Sequence, residues 1–259
     1  MEELTQQYTI NPKKMKNELK RFSLIYKFAL DEMNTKINIL KEEFIHIHEY
    51  NPIEHCNSRI KSPESIMKKL HRKNLDFSIE SIRENIKDIA GIRIICPFIT
   101  DVYKISQMIE KQQDIELVER KDYIKNPKPN GYQSLHLIIK IPVFMSDRVE
   151  MVFVELQLRT IAMDFWASLE HKIYYKYDKE IPERIKKDLK DAAISAAELD
   201  SKMERINNEV AHLKGQDDPD EDLLLFNELL NLQKTNFQSI LQRFFVDVPK
   251  VKRNDIGTD

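Results

Sequence analysis

Glycine is nearly missing from this chain, with four residues in 259 against an average usage of about 7%. Each one is therefore worth reading by position, and Gly91 and Gly131 fall inside segments rich in polar chemistry. Cysteine is equally sparse: Cys56 and Cys96 stand far apart without paired Cys/His spacing, which argues against a disulfide framework or a zinc site and suits a reducing cytoplasm. A charge excess of either sign is lacking too. The 41 Lys and Arg against 43 Asp and Glu leave a net charge of -2, without the basic surplus of a dedicated nucleic-acid binder. No apolar run approaches membrane-spanning length, and Met1-Glu2-Glu3 begins no basic-then-apolar leader, so a soluble, cytoplasmic protein with no membrane partner is expected. Internal repeats and low-complexity tracts are absent as well.

At 30.8 kDa the chain has enough length for one good core with helical arms. Ile25, Ala29, Met33, Ile37, Leu40, Phe44 and Ile47 recur at helical intervals, predicting a long amphipathic helix or helix pair over residues 12 to 49. Pro52 ends it. Ser62-Pro63 supplies an N-cap and a proline at the first helical position for a basic helix through about Lys73, and a short helix is predicted near Ser78 to Asn85. A β-rich centre follows, with extended segments from Gly91 to Cys96, Ile115 to Tyr123, Tyr132 to Ile141 and Val149 to Arg159, and a helix over 101 to 112. From Thr160 the pattern is helical through Tyr175 and again from Pro182 to Lys214. Asp217 to Asp222 reads as an acidic loop, and the segment from Leu223 to Leu230 as a helix apolar enough to need a partner in its own domain or another subunit. The tail after Lys250 is polar. Four or five strands interleaved with helices make an α+β core.

Four segments carry candidate chemistry. In Val154-Glu155-Leu156-Gln157-Leu158-Arg159 the apolar residues face one side of a strand while Glu155, Gln157 and Arg159 share the other. Such alternation also describes a plain half-exposed strand. The basic helix places Ser65, Lys68 and Arg72 on one face, preceded by Arg59 and Lys61; a cation-ringed helix N-terminus suits phosphate, though a solvated basic helix has the same composition. Asp88 enters a strand just ahead of Gly91 and Arg93, where a carboxylate can hold magnesium with Glu155 as partner, or merely end a helix. The stretch from Lys121 to His136 combines a Pro and Asn-Gly turn with Lys128, Asn130 and Tyr132, giving cations around an aromatic ring on which a base can stack.

Taken in order from Arg59 to His171, these motifs resemble one family, the synthetase domain of RelA/SpoT-like alarmone synthetases: Arg59-Ile60-Lys61 with Ser65 to Lys68, Asp88 to Arg93, Lys128 to His136, and Glu155 to Arg159 followed by Met163-Asp164-Phe165-Trp166 and Glu170-His171. The resemblance implies a nucleotidyltransferase-like mixed sheet of about five strands flanked by helices, with long N- and C-terminal helices. It implies an N-terminal helical extension over 1–50, a catalytic domain over 51–178, and a C-terminal helical extension over 179–259 suited to oligomerisation. The implied reaction is transfer of the pyrophosphoryl group of ATP to the 3′-hydroxyl of GTP or GDP, releasing AMP. The chain contains no His-Asp dipeptide, so no hydrolase activity is expected.

By the same resemblance Arg59 and Arg93 sandwich adenine, while Lys61, Ser65, Lys68 and Arg72 hold the ATP phosphates. Asp88 is a magnesium ligand. Glu155 helps hold that Mg²⁺ and draws the proton from the attacking hydroxyl. Tyr132 stacks on guanine, and Lys121, Lys128, Asn130, His136 and Gln157 position the acceptor. Where some relatives have asparagine, this chain has Asp164, which suits guanine N1 and N2 if it faces the site. A homotetramer is implied. Two rival readings remain: an RNA-modifying nucleotidyltransferase, for which no extra carboxylate or broad basic track is evident, and a catalytically inactive nucleotide- or RNA-binding regulator.

Overall fold

The computed structural model describes residues 12–47, 50–175 and 181–214. The acidic loop, the apolar helix expected from Leu223 and the polar tail lie outside the described residues. The elements are α1 (Pro12–Ile47), β1 (His55–Ile60), α2 (Pro63–Arg72), α3 (Ile79–Asn85), β2 (Ala90–Cys96), α4 (Ile99–Glu110), β3 (Glu116–Asp122), β4 (Leu135–Phe144), β5 (Val149–Thr160), α5 (Ile161–Tyr175) and α6 (Glu183–Lys214). The chain divides into one compact unit over Met1–Glu204 and a second over Arg205–Asp259, whose described residues are the last turns of α6.

A five-stranded mixed sheet in the order β1-β2-β5-β4-β3 forms the centre of the first unit, with β2 parallel to β5 and the other pairings antiparallel. Period-two alternation gives each strand two unlike faces. Ile92 and Ile94 of β2, Leu137 and Ile139 of β4, and Val154, Leu156 and Leu158 of β5 are fully buried. The stripe Ile25, Ala29, Met33, Ile37 and Phe44 of α1 and the residues Val102, Ile105 and Ile109 of α4 join them in one core. Ile47, expected on that stripe, is exposed at the helix end.

Local caps follow the sequence. The Ser62 and Ser78 hydroxyls accept from the backbone N–H groups of Ser65 and Ser81, starting α2 and α3, and the Thr160 hydroxyl accepts from the Met163 N–H at 3.2 Å at the turn from β5 into α5. Two features differ from expectation. His55–Ile60 is a strand, largely exposed and paired only with β2. The strand expected from Tyr132 begins at Leu135, because the turn closed by the Gly131 N–H to Lys128 carbonyl bond (2.8 Å) holds the chain out of the ladder.

Candidate active site

Strand register places the polar residues before any side chain is considered. Arg59 pairs with Gly91 and Gly91 with Glu155; Asn57 pairs with Arg93, Arg93 with Gln157, Gln157 with His136 and His136 with Lys121. Two rows thus cross the sheet on the face opposite the core. Their members on β1, β2 and β5 line a cleft of about 250 Å³ formed by Asn57, Ser58, Arg59, Lys61, Asp88, Gly91, Ile92, Arg93, Glu155 and Gln157, and His136 and Lys121 lie outside its lining.

At one end of this cleft Asp88 precedes β2. Its Oδ2 accepts from Lys61 Nζ at 2.6 Å and Lys69 Nζ at 2.8 Å, while its Oδ1 is buried without a partner. Burial alone would raise this carboxyl, but the two lysine bonds outweigh it and hold the group below the usual carboxylate range. Ser65, Lys68 and Arg72 are exposed on α2, and Ser65 is occupied by the cap at Ser62. They do not join the cleft lining.

In the middle, Glu155 Oε2 accepts from the Gln157 amide at 2.9 Å, and its Oε1 lies 3.6 Å from His136 Nδ1. Beyond it the Arg159 guanidinium, 4% exposed as a residue, organises the other end. It donates to Gln157 Oε1 (3.0 Å), Tyr132 Oη (2.7 Å), Asp164 Oδ1 (3.0 Å) and, more weakly, Ser134 Oγ (3.4 Å). Tyr132 Oη is in turn 2.8 Å from His136 Nε2. Burial first, then the nearby charges of Arg159, Lys128 and Lys121, push the His136 pKa down to about 3, so the ring is neutral near pH 7. A hydroxyl receiving the Arg159 hydrogen has its own to give to Nε2, an arrangement that turns the imidazole N–H at Nδ1 toward Glu155.

Tyr132 leaves the turn with Lys128 Nζ 4.8 Å and the Arg159 guanidinium carbon 5.2 Å from its ring centroid, and Tyr123 and His136 meet it edge-on. Asn130 fixes the turn, accepting from the Tyr132 N–H at 3.2 Å and donating to Glu170 at 3.1 Å. Lys121 pairs with Glu119 at 3.0 Å. Asp164 faces the cleft side, where its Oδ1 is shared by Arg159 and by Arg93 Nη1 at 3.2 Å. Burial and then repulsion from Arg159 lower the Arg93 pKa, only partly offset by Asp164.

Sequence reasoning thus brought Arg59, Lys61, Asp88, Arg93, Glu155 and Gln157 to one cleft and Tyr132, His136 and Asp164 to its neighbouring cluster. It missed Lys69 and gave no role to Arg159. The period-two pattern of β5 already placed Arg159 beside Glu155; Lys69 had only the signal of lying one turn after the buried Ile66.

Among the described residues no group of three or more His, Cys, Asp and Glu is arranged to hold a metal ion unaided. The unpartnered Asp88 Oδ1 and the Glu155 carboxylate in the same cleft nevertheless suit a hard cation whose remaining positions are filled by phosphate oxygens and water. Anchored cations, two carboxylates and an aromatic platform match the needs of phosphoryl-type transfer, which rests on positioning and charge neutralisation.

The family described as "Region found in RelA / SpoT proteins" matches residues 58–180. The GTP pyrophosphokinase YwaC of Bacillus subtilis is 53% identical over 195 residues, covering 75% of this chain and 91% of that protein. The crystal structure of small alarmone synthetase 2 from Bacillus subtilis superposes with a TM-score of 0.67 at 52% identity, over 75% of this chain and 98% of that one. Small alarmone synthetase 1 from Bacillus subtilis, solved bound to its product pppGpp, gives a TM-score of 0.70 at 35% identity over 74% and 98% of the two chains.

Proposed function

The chain belongs to the RelA/SpoT family of alarmone synthetases, and from that premise we propose that it is a GTP pyrophosphokinase, transferring the pyrophosphoryl group of ATP to the 3′-hydroxyl of GTP or GDP. The observation that carries the reading is the cleft row itself: Glu155 stands by register between Gly91 and Ile138, beside Gln157 and Arg93, with no side chain from Gly91 to fill the space in front of it.

In this mechanism Glu155 accepts the proton of the 3′-hydroxyl. The freed oxygen bonds to the β-phosphorus of ATP, the bond from that phosphorus to the bridging oxygen breaks, and the bridging oxygen leaves on AMP. Arg59 and Arg93 flank adenine and Lys61 holds the donor phosphates within the cleft, while Lys68, Arg72 and the Ser65 hydroxyl, on the exposed face of α2 outside the lining, meet the polyphosphate where it leaves the cleft. Held by Asp88 and Glu155 when bound, Mg²⁺ supplies neutralisation of charge on the donor polyphosphate. The acceptor base takes a place on the Tyr132 ring now covered by Lys128, releasing that cation toward its phosphates while Arg159 keeps its buried bonds, with Lys121, Asn130, His136, Gln157 and Asp164 around the base.

Residues 51–178 carry these groups, and the flanking helical segments support a homotetramer. In favour of self-association, Leu24 and Phe28 of α1 and Ile194, Leu199 and Met203 of α6 are exposed.

Nucleotide turnover tests the function. Protein, ATP, Mg²⁺ and GTP or GDP should give AMP and a 3′-pyrophosphorylated guanosine nucleotide in equal amounts, with Glu155→Gln lowering kcat at least about 100-fold, in line with loss of a general base. Nucleotide binding without AMP formation would replace the reading with that of a regulator.

A further inference from the structure

Asp88 is the carboxylate with the clearest free coordination position in the cleft, and it is also the most heavily occupied. Oδ1 is buried without a hydrogen-bond partner, while Oδ2 is held by two ammonium groups at 2.6 and 2.8 Å. The side chains of Lys61, Lys69 and Asp88 are only 22%, 21% and 17% exposed, so water screens the cluster poorly. Two positive charges against one negative leave the cluster with a positive excess, and a divalent cation approaching Oδ1 meets that excess at close range. Glu155 does not pair with these lysines: its Oε2 accepts from Gln157 and its Oε1 faces His136, while both ammonium groups are on Asp88 Oδ2.

The backbone makes this arrangement persistent. The Lys61 N–H donates to the Ile89 carbonyl at 2.8 Å, directly beside the Ile60–Ala90 pair that ends the β1–β2 ladder, so Lys61 and Asp88 are fixed neighbours. Lys69 comes from α2, whose buried Ile66 and Leu70 seat that helix in the core. Both lysines stay tethered when their ammonium groups move.

We infer that Lys61 and Lys69 form a latch on Asp88, such that a divalent cation gains this carboxylate only when a nucleoside polyphosphate draws the ammonium groups away. Lys69 is then a positioning residue: it prevents the protein from loading metal without the donor nucleotide, and it exchanges its carboxylate bond for phosphate oxygens when the nucleotide arrives. The inference rests on the proposed use of ATP at this cleft and adds an order to it, with polyphosphate preceding or accompanying the metal.

Mn²⁺ serves as a paramagnetic stand-in for Mg²⁺, with the free ion counted by electron paramagnetic resonance. On the nucleotide-free protein, Asp88→Asn should leave the weak Mn²⁺ affinity unchanged, whereas with α,β-methylene-ATP present the same substitution should lower it at least tenfold. Lys69→Met should tighten Mn²⁺ binding to nucleotide-free protein at least tenfold, with the gain lost on adding Asp88→Asn and not reproduced by Lys68→Met, which removes a charge that makes no bond to Asp88. Loss of affinity in nucleotide-free Asp88→Asn overturns the latch, and the wild-type comparison needs no lysine variant to fold. Lys69→Met binding no tighter than wild type, in a variant that melts normally, overturns it as well. ATP turnover is scored separately: its absence removes the proposed function, while the nucleotide-free comparison still decides the latch.

Discussion

Tyr132 holds two kinds of contact that mutation can separate. Its ring carries the neighbouring cations, and its hydroxyl joins Arg159 to His136. Base stacking on an aromatic ring is worth about 1–3 kcal/mol, so Tyr132→Ala should raise KM for GTP or GDP roughly 5- to 150-fold with little change in KM for ATP. Tyr132→Phe, which keeps the ring, should retain most acceptor affinity and lose kcat instead; steady-state kinetics with each nucleotide varied in turn checks both. A second residue, Asp200 on α6, receives the Thr160 hydroxyl at the head of α5. Burial, eased by that bond and reinforced by Glu204, raises its pKa to about 6. The unfolded chain titrates near 3.9. Stability from this group is therefore fully present below about pH 4 and is lost as pH rises through 6, because the folded protein must then ionise a buried acid. Asp200→Asn should flatten that slope and stabilise the protein at pH 8 by about 1–2 kcal/mol, with little effect at pH 4, as read by denaturant melts.

The turn between β3 and β4 shows what an element adds. Gly131 has φ +89°, and a Cβ there would lie 2.5 Å from the Ala193 Cβ of α6. Gly131→Ala should cost about 2–3 kcal/mol in urea denaturation, combining left-handed strain with the clash, and should weaken acceptor binding through Tyr132. Gly131 was conspicuous in the sequence as part of an Asn-Gly turn, but its contact with α6 was not, since helical periodicity does not name a partner. The same distinction runs through the fold. β2, β4 and β5 were legible because buried apolar and polar residues alternate in them with period two. β1 was not: His-Cys-Asn-Ser-Arg-Ile has no such contrast, and its extended form comes from pairing with β2. On α2 the exposed face with Ser65, Lys68 and Arg72 drew attention for its spacing, whereas Lys69, beside the buried stripe, is the residue that reaches Asp88. Its role depends on how the helix is seated, which only tertiary structure fixes.

Across the whole molecule a net charge of -2 conceals a cleft lined by Arg59, Lys61 and Arg93 beside Asp88 and Glu155. Nucleotide polyphosphates are drawn by this local field rather than by the overall charge, and the attraction is screened as the Debye length shrinks from about 10 Å at 0.1 M salt. Raising ionic strength from about 0.05 to 0.3 M should increase KM for both nucleotides severalfold with a smaller change in kcat, measured in a salt series at constant Mg²⁺. The rows that make the cleft cross the sheet through the β1–β2, β2–β5 and β5–β4 registers, with no single strand holding them all. A one-residue slip between β2 and β5 would set Ile92 opposite Glu155 and break the alignment of both rows at once. The same slip would turn the buried Ile92 and Ile94 out of the core, so the burial that stabilises the sheet also guards the alignment of the cleft: a chain that folds at all carries its two rows in register.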